Sequence, residues 1–108
     1  MTNPVTPEHQ IQNEIRVAVS KHGCTCFRAN VGKVFINGRY FDTGLPKGYP
    51  DLFGFRHSDG KIFFIEVKNE IGRLRPEQKT FRKFAKNYPV LYGVARSADD
   101  AVKIVSGD

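Results

Sequence analysis

The sequence predicts an α/β domain: a mixed β-sheet flanked by helices, in the order α-β-β-β-β-β-α-β-α, with an extra β-hairpin among the strands. Three observations carry that expectation. Apolar residues Ile11, Ile15, Ala18 and Val19 recur at the period of an amphipathic helix. Short apolar runs of strand length follow, separated by Asn37-Gly38 and Asp59-Gly60, dipeptides that favour tight turns between antiparallel strands. Helical patterns then return on either side of the apolar run Val90 to Ala95, the alternation seen when helices cover a sheet.

Taken in order, Thr6-Pro7 reads as a helix start, a capping hydroxyl followed by proline at the first helical position. The helix is expected to run to about His22 and to end at Gly23. Glu14 lies on its apolar stripe, so its carboxylate is expected to face the core or a cleft beside it; the plainer alternative is a carboxylate at the stripe's edge that reaches water or pairs with an arginine such as Arg28. Cys24 to Asn30 and Lys33 to Ile36 read as strands, and Asn37-Gly38 turns the chain into a third at Arg39-Tyr40-Phe41. The glycines and prolines between Asp42 and Pro50 mark a loop. A central hairpin runs from about Asp51 to Lys68, with a loop from Asn69 to Arg75 after it. Pro76 starts a second helix that ends near Asn87, with Gln78, Phe81, Phe84 and Ala85 on one face. Val90 to Ala95 has the composition of a central strand covered on both faces. Ser97-x-x-Asp100 resembles a capping box opening a last helix, Ala98 to Val105. The sheet core is expected near Phe53, Phe63, Ile65 and Leu91, and Tyr40, Phe41 and Tyr49 are expected to pack against the sheet.

A length of 108 residues suits one domain, 1–108, with a core from about 7 to 105. Its 17 basic and 11 acidic residues give a net charge of +6. The excess concentrates between Lys68 and Lys86, which favours a polyanionic partner. Cys24 and Cys26 lack the companions of a zinc site and are poorly spaced for a bridge, so two reduced thiols are expected. No apolar run reaches the roughly 20 residues that span a bilayer, which argues against a membrane partner. Met1-Thr2-Asn3-Pro4 lacks the charged-then-apolar order of a signal peptide. The expected compartment is the cytoplasm, the host's if the protein is viral.

The chemistry-bearing residues are Asp51, Glu66 and Lys68. Asp51 opens one strand of the central hairpin, and Glu66 and Lys68 close the other. Side chains alternate along a strand, so Glu66 and Lys68 share a face while Val67 takes the opposite one. The hairpin can bring Asp51 beside Glu66. Two acids at the ends of buried strands are costly unless a positive charge offsets them, and a divalent cation would supply it. The plainer alternative for Glu66 and Lys68 is an exposed ion pair at a sheet edge.

Pro50-Asp51 followed by Glu66-Val67-Lys68 looks like the PD-(D/E)xK nuclease signature. The wider string resembles one branch of it, the VRR-NUC domain, through Arg28-x-Asn30-x-Gly32, Lys47-Gly48-Tyr49-Pro50-Asp51, Ile65-Glu66-Val67-Lys68 and Gly72-Arg73-Leu74-Arg75-Pro76-Glu77-Gln78. Arg75 departs from the family, many of whose members carry a small hydroxyl residue before the proline. The resemblance implies a restriction-endonuclease-like core and a metal-dependent DNA nuclease. Asp51, Glu66 and the backbone carbonyl of Val67 are then the expected ligands of Mg²⁺ or Mn²⁺, hard cations that prefer oxygen. Lys68 would lie close to the attacking water, Glu14 would act through metal-bound water or a second ion, and Gln78 would hydrogen-bond the site, positioning Lys68 or the phosphate. Arg28, Asn30, Lys33, Arg73, Arg75, Lys79 and Lys83 are candidate phosphate contacts.

Small members of this family resemble viral and phage proteins that act on branched DNA, including four-way (Holliday) junctions. The chain carries no module for reading base sequence, so structure-selective cleavage is the expectation. Symmetric junction cleavage needs two active sites, which implies a homodimer. The competing expectations are a nucleic-acid-binding protein of the same fold without turnover, and a sequence-specific restriction-type endonuclease.

Overall fold

The computed structural model describes residues 5–107; the Met1 to Pro4 stretch read against a signal peptide lies outside them. Its elements are α1 (Glu8–Lys21), β1 (Cys24–Arg28), β2 (Lys33–Ile36), β3 (Arg39–Asp42), β4 (Leu52–Arg56), β5 (Ile62–Val67), α2 (Pro76–Ala85), β6 (Leu91–Ala95) and α3 (Ala98–Val105). The main sheet has the order β1-β4-β5-β6, antiparallel from β1 to β5 and parallel between β5 and β6. A parallel neighbour requires a crossover, and α2 supplies it. Strands β2 and β3 form the separate hairpin. Its turn carries positive φ at both Asn37 (51°) and Gly38 (76°), as the mirror-image hairpin turns demand.

Register fixes what each face holds. Leu52 pairs with Ile65 and Gly54 with Phe63, so these residues share one face, and Phe53, paired with Phe64, takes the other. On the first face Ile11, Ile15 and Val19 of α1 and Ala101 and Val105 of α3 close over Leu52, Phe63, Ile65, Val67 and Ala95. This is the hydrophobic core. The second face is aromatic: Phe81 of α2 lies edge-on to Phe64 and Tyr49, at ring-centroid distances of 5.2 and 5.3 Å. No helix among the described residues is long and apolar enough to cross a membrane.

Three details differ from the sequence reading. Pro7, not Thr6, occupies the capping position of α1, and the Thr6 N–H instead donates to Glu70 Oε2 at 3.2 Å. Proline sets an extended backbone just before the helix (φ −61°, ψ 137°), so the helix begins one residue late. Strand β6 is covered on its faces as expected, yet it is an edge strand. Tyr40 and Phe41 do not pack on the sheet: they are 74% and 51% exposed on the β2–β3 hairpin, where Tyr40 stacks on Phe35. That hairpin pairs with no strand of the main sheet, so its aromatics have no layer beneath them. Tyr49 does pack, against Phe53, Phe64 and Phe81. Cys24 and Cys26 are free thiols, and burial pushes Cys26 up to about 11.

Candidate active site

Asp51 is fixed between two strands before any ligand is considered. Its carbonyl accepts the Ala29 N–H at 2.8 Å, and its Oδ2 accepts the Val67 N–H at 2.8 Å. The hairpin therefore places Asp51 against residue 67, beside Glu66. Glu66 itself is 1% exposed, and its Oε1 accepts from Gln78 Nε2 at 3.1 Å. Gln78 is held in turn, because its Oε1 accepts the Arg75 N–H at 2.8 Å. Arginine has no acceptor, so Arg75 cannot cap α2 with its side chain. Gln78 closes that turn from within the helix and with its other end orients the Glu66 carboxyl.

Glycine lets the Asp51 loop reach this helix. At Gly48 (φ 93°) a Cβ would overlap the Glu77 carbonyl, so the loop lies directly on the first turn of α2. The result is a pocket of about 350 Å³ lined by Asp51, Gln78, Arg75, Tyr49, Gly32 and neighbouring backbone. The Asn30-x-Gly32 segment predicted to matter thus borders the acids through Gly32.

The electrostatics set Glu66 apart from the other acids. Glu66 Oε2 is buried with no hydrogen-bond partner. Burial, and then the neighbouring Asp51 carboxylate, push Glu66 up to about 9, against smaller opposing effects of Lys68 and Arg75. Tyr92, on the same face, is pushed up to about 12 by burial and by Glu66, and its hydroxyl is also buried without a partner. Lys68 is 6% exposed, and neither ion pair among the described residues involves it. An exposed Glu66–Lys68 edge pair is therefore not what forms. A buried Glu66 with an unpartnered oxygen, beside the half-buried Asp51, fits a hard divalent ion, which prefers oxygen ligands.

The sequence of residues 6–99 matches the model of the VRR-NUC domain. The chain belongs to the VRR-NUC domain family. A solved VRR-NUC domain structure is similar over 92% of this chain and 94% of its own, at 23% identity and a TM-score of 0.59, a likeness that shows the fold. No curated protein matches the sequence. A VRR-NUC domain has a nuclease-type fold, so DNA is the substrate it implies.

Glu14 is the site expectation the geometry does not gather in. It is exposed on α1 and accepts from Gln10 Nε2, one turn earlier, at 3.2 Å. The stripe that packs consists of Ile11, Ile15 and Val19, and Glu14 sits at its edge in solvent. Among the described residues no three metal-binding side chains form a cluster. A different acid of α1 lies nearer. Glu8 Oε1 and the Lys68 Cδ approach the same point above Gly72, 3.0 and 3.2 Å from where a Cβ would stand. The signal was present in the sequence, since Glu8 continues the stripe three residues before Ile11 and seven before Ile15.

The candidate phosphate contacts Arg28, Asn30, Lys33, Arg73, Arg75, Lys79 and Lys83 are all exposed. They do not form one patch. Arg75 borders the Asp51 pocket, whereas Arg73 and Lys79 line a separate cleft beyond α2.

Proposed function

We propose that this chain is a divalent-metal-dependent DNA endonuclease that selects branched or otherwise structured DNA, such as four-way junctions, and works as a homodimer. The carrying observation is the unpartnered inner oxygen of Glu66, buried beside Asp51. Asp51, Glu66 and the Val67 carbonyl would hold Mg²⁺ or Mn²⁺. When bound, such an ion neutralises phosphate charge and makes water more acidic.

The remaining work belongs to the chain's own groups. Lys68, buried and outside any ion pair among the described residues, orients the attacking water and favours its deprotonation by positive charge. Gln78 orients the Glu66 carboxyl by donating to Oε1. Glu8 takes the place first considered for Glu14, as the α1 acid beside the Lys68 stem. Self-association finds apolar surface in a groove of about 330 Å³ lined by Phe64, Phe81, Phe84, Ala85, Tyr88 and Val90.

The test is a substrate panel of single-stranded, duplex, flap and four-way DNA, each with Mg²⁺, Mn²⁺ or EDTA, with the cuts mapped. Metal-dependent cuts near branch points are expected. Unique fragments from long duplex DNA would replace structure selection with sequence recognition. Binding without cleavage of any DNA form would leave a binding protein. Sedimentation of a monomer on DNA would remove junction resolution but not nicking.

A further inference from the structure

Gln78 of α2 reaches the acid pair through Glu66. Alongside the same helix is a cleft of about 510 Å³ whose charged lining is Arg73, Lys79, Arg82, Arg96, Lys103 and Asp100. We infer that this cleft is a second phosphate-binding site, which holds the DNA backbone next to the strand segment being cut. The inference rests on the nuclease reading and deepens it.

The charge balance is lopsided. Five cations converge from the loop after β5, from α2, from the end of β6 and from α3, against one carboxylate. Asp100 is already engaged, accepting the Arg96 N–H at 2.9 Å through Oδ2. The ion pairs among the described residues are Arg56–Asp59 and Arg75–Glu77, so none of Arg73, Lys79, Arg82 and Lys103 is neutralised by a carboxylate. Cations gathered from four elements repel one another unless an anion lies between them.

Position links this cleft to the acids. Its floor is Val94, aligned with Glu66 in the parallel β5–β6 ladder. Aligned residues point to the same face, and neighbouring strands run about 4.8 Å apart. Arg96 makes the lip rigid: its Nη1 donates to the carbonyls of Asn69, at 2.5 Å, and Gly72, at 2.7 Å. The same bonds tie down the loop that follows Lys68.

A continuous backbone fits this cleft better than a free nucleotide. Its apolar lining is Leu74 and Val94, with no aromatic ring to stack on a base. The cleft also lies at β6, an edge strand, so a polymer can pass along it.

The experiment measures equilibrium binding of a fluorescent four-way DNA in EDTA across a salt series. The proteins are wild type, Arg82→Gln/Lys103→Gln, and a charge-matched control, Lys21→Gln/Lys61→Gln, at the opposite end of the sheet. The cleft variant should bind roughly 10-fold more weakly near 100 mM salt, and its slope of log affinity against log salt should shrink by about 2, one unit per lost phosphate contact. The control should keep the wild-type slope. A cleft variant that tracks the control overturns the inference. If the half-buried Arg82 proves necessary for folding, the exposed Lys103→Gln alone carries the test, with a slope change of about 1. Wild-type protein that never cleaves yet shows the slope difference would sink the nuclease reading and leave the cleft standing. Cleavage without the slope difference would do the reverse.

Discussion

On the face of the sheet covered by α1 and α3, Ile15, Val19, Leu52, Phe63, Ile65, Ala95 and Ala101 have no solvent exposure; on the face crossed by α2, Phe55, Ile62 and Phe84 remain 40%, 46% and 55% exposed. The first face is aliphatic apart from Phe63 and is closed by two helices. The second is aromatic, closed by a single helix of 10 residues, and it holds Glu66 and Gln78 among its buried groups. Burying a carboxylate beside another costs several kcal/mol in a metal-free protein. A domain can carry that cost when a separate layer supplies the cohesion. The comparison therefore divides the molecule into a face that holds it together and a face that carries the proposed site.

The largest expected effect tests the working face. Asp51→Ala should lower metal-dependent cleavage by about 1,000-fold or more, while the melting temperature stays near or above that of the metal-free wild type. Loss of folding instead would mean that Asp51 serves the scaffold through its bond to Val67. Next comes the closed face. Phe63→Ala should cost about 3–5 kcal/mol of stability, read by denaturant unfolding, and above its new, lower midpoint all activity should disappear together.

Gln78→Ala should reduce cleavage by about 10- to 100-fold with folding preserved, because it frees the Glu66 carboxyl without removing it. A matching loss of DNA affinity would instead make Gln78 a substrate contact. A pH series sharpens the same point. Glu66 is pushed up to about 9 by burial and Asp51, above its value in an unfolded chain. The metal-free folded protein then holds a proton that the unfolded chain releases, so stability should fall as pH rises from about 5 to about 9. Glu66→Gln should flatten that decline, and thermal melts in EDTA would read it. The smallest effect is Phe84→Ser, exposed on the open face, which should change stability by less than about 0.5 kcal/mol. Its readout is sedimentation, where weaker self-association would place the dimer surface on α2.

What the sequence made legible was local. Asn37-Gly38 and Asp59-Gly60 set their hairpins because few residues tolerate those turns, and the hairpin geometry carried Asp51 to Glu66. Gln78 was found on the right helix face, although its partner proved to be Glu66 and not Lys68. The remainder depended on how elements sit against one another. Glu14 and Glu8 both lie near the α1 stripe, and only the docking of residues 6–8 on the 69–72 loop separates them. Tyr40 and Phe41 look like core by composition, yet their hairpin stands apart from the main sheet. The basic cleft draws its cations from four elements, so no window of sequence contains it.

The central claim is that the Glu66 and Asp51 carboxylates together hold a divalent cation. Calorimetric titration of Mn²⁺ into the protein, without DNA, tests it most directly. Saturable binding by wild type and by Lys68→Ala, lost in both Asp51→Ala and Glu66→Gln, is the predicted result. Equal Mn²⁺ binding by all four proteins, or no binding by the wild type, would contradict it.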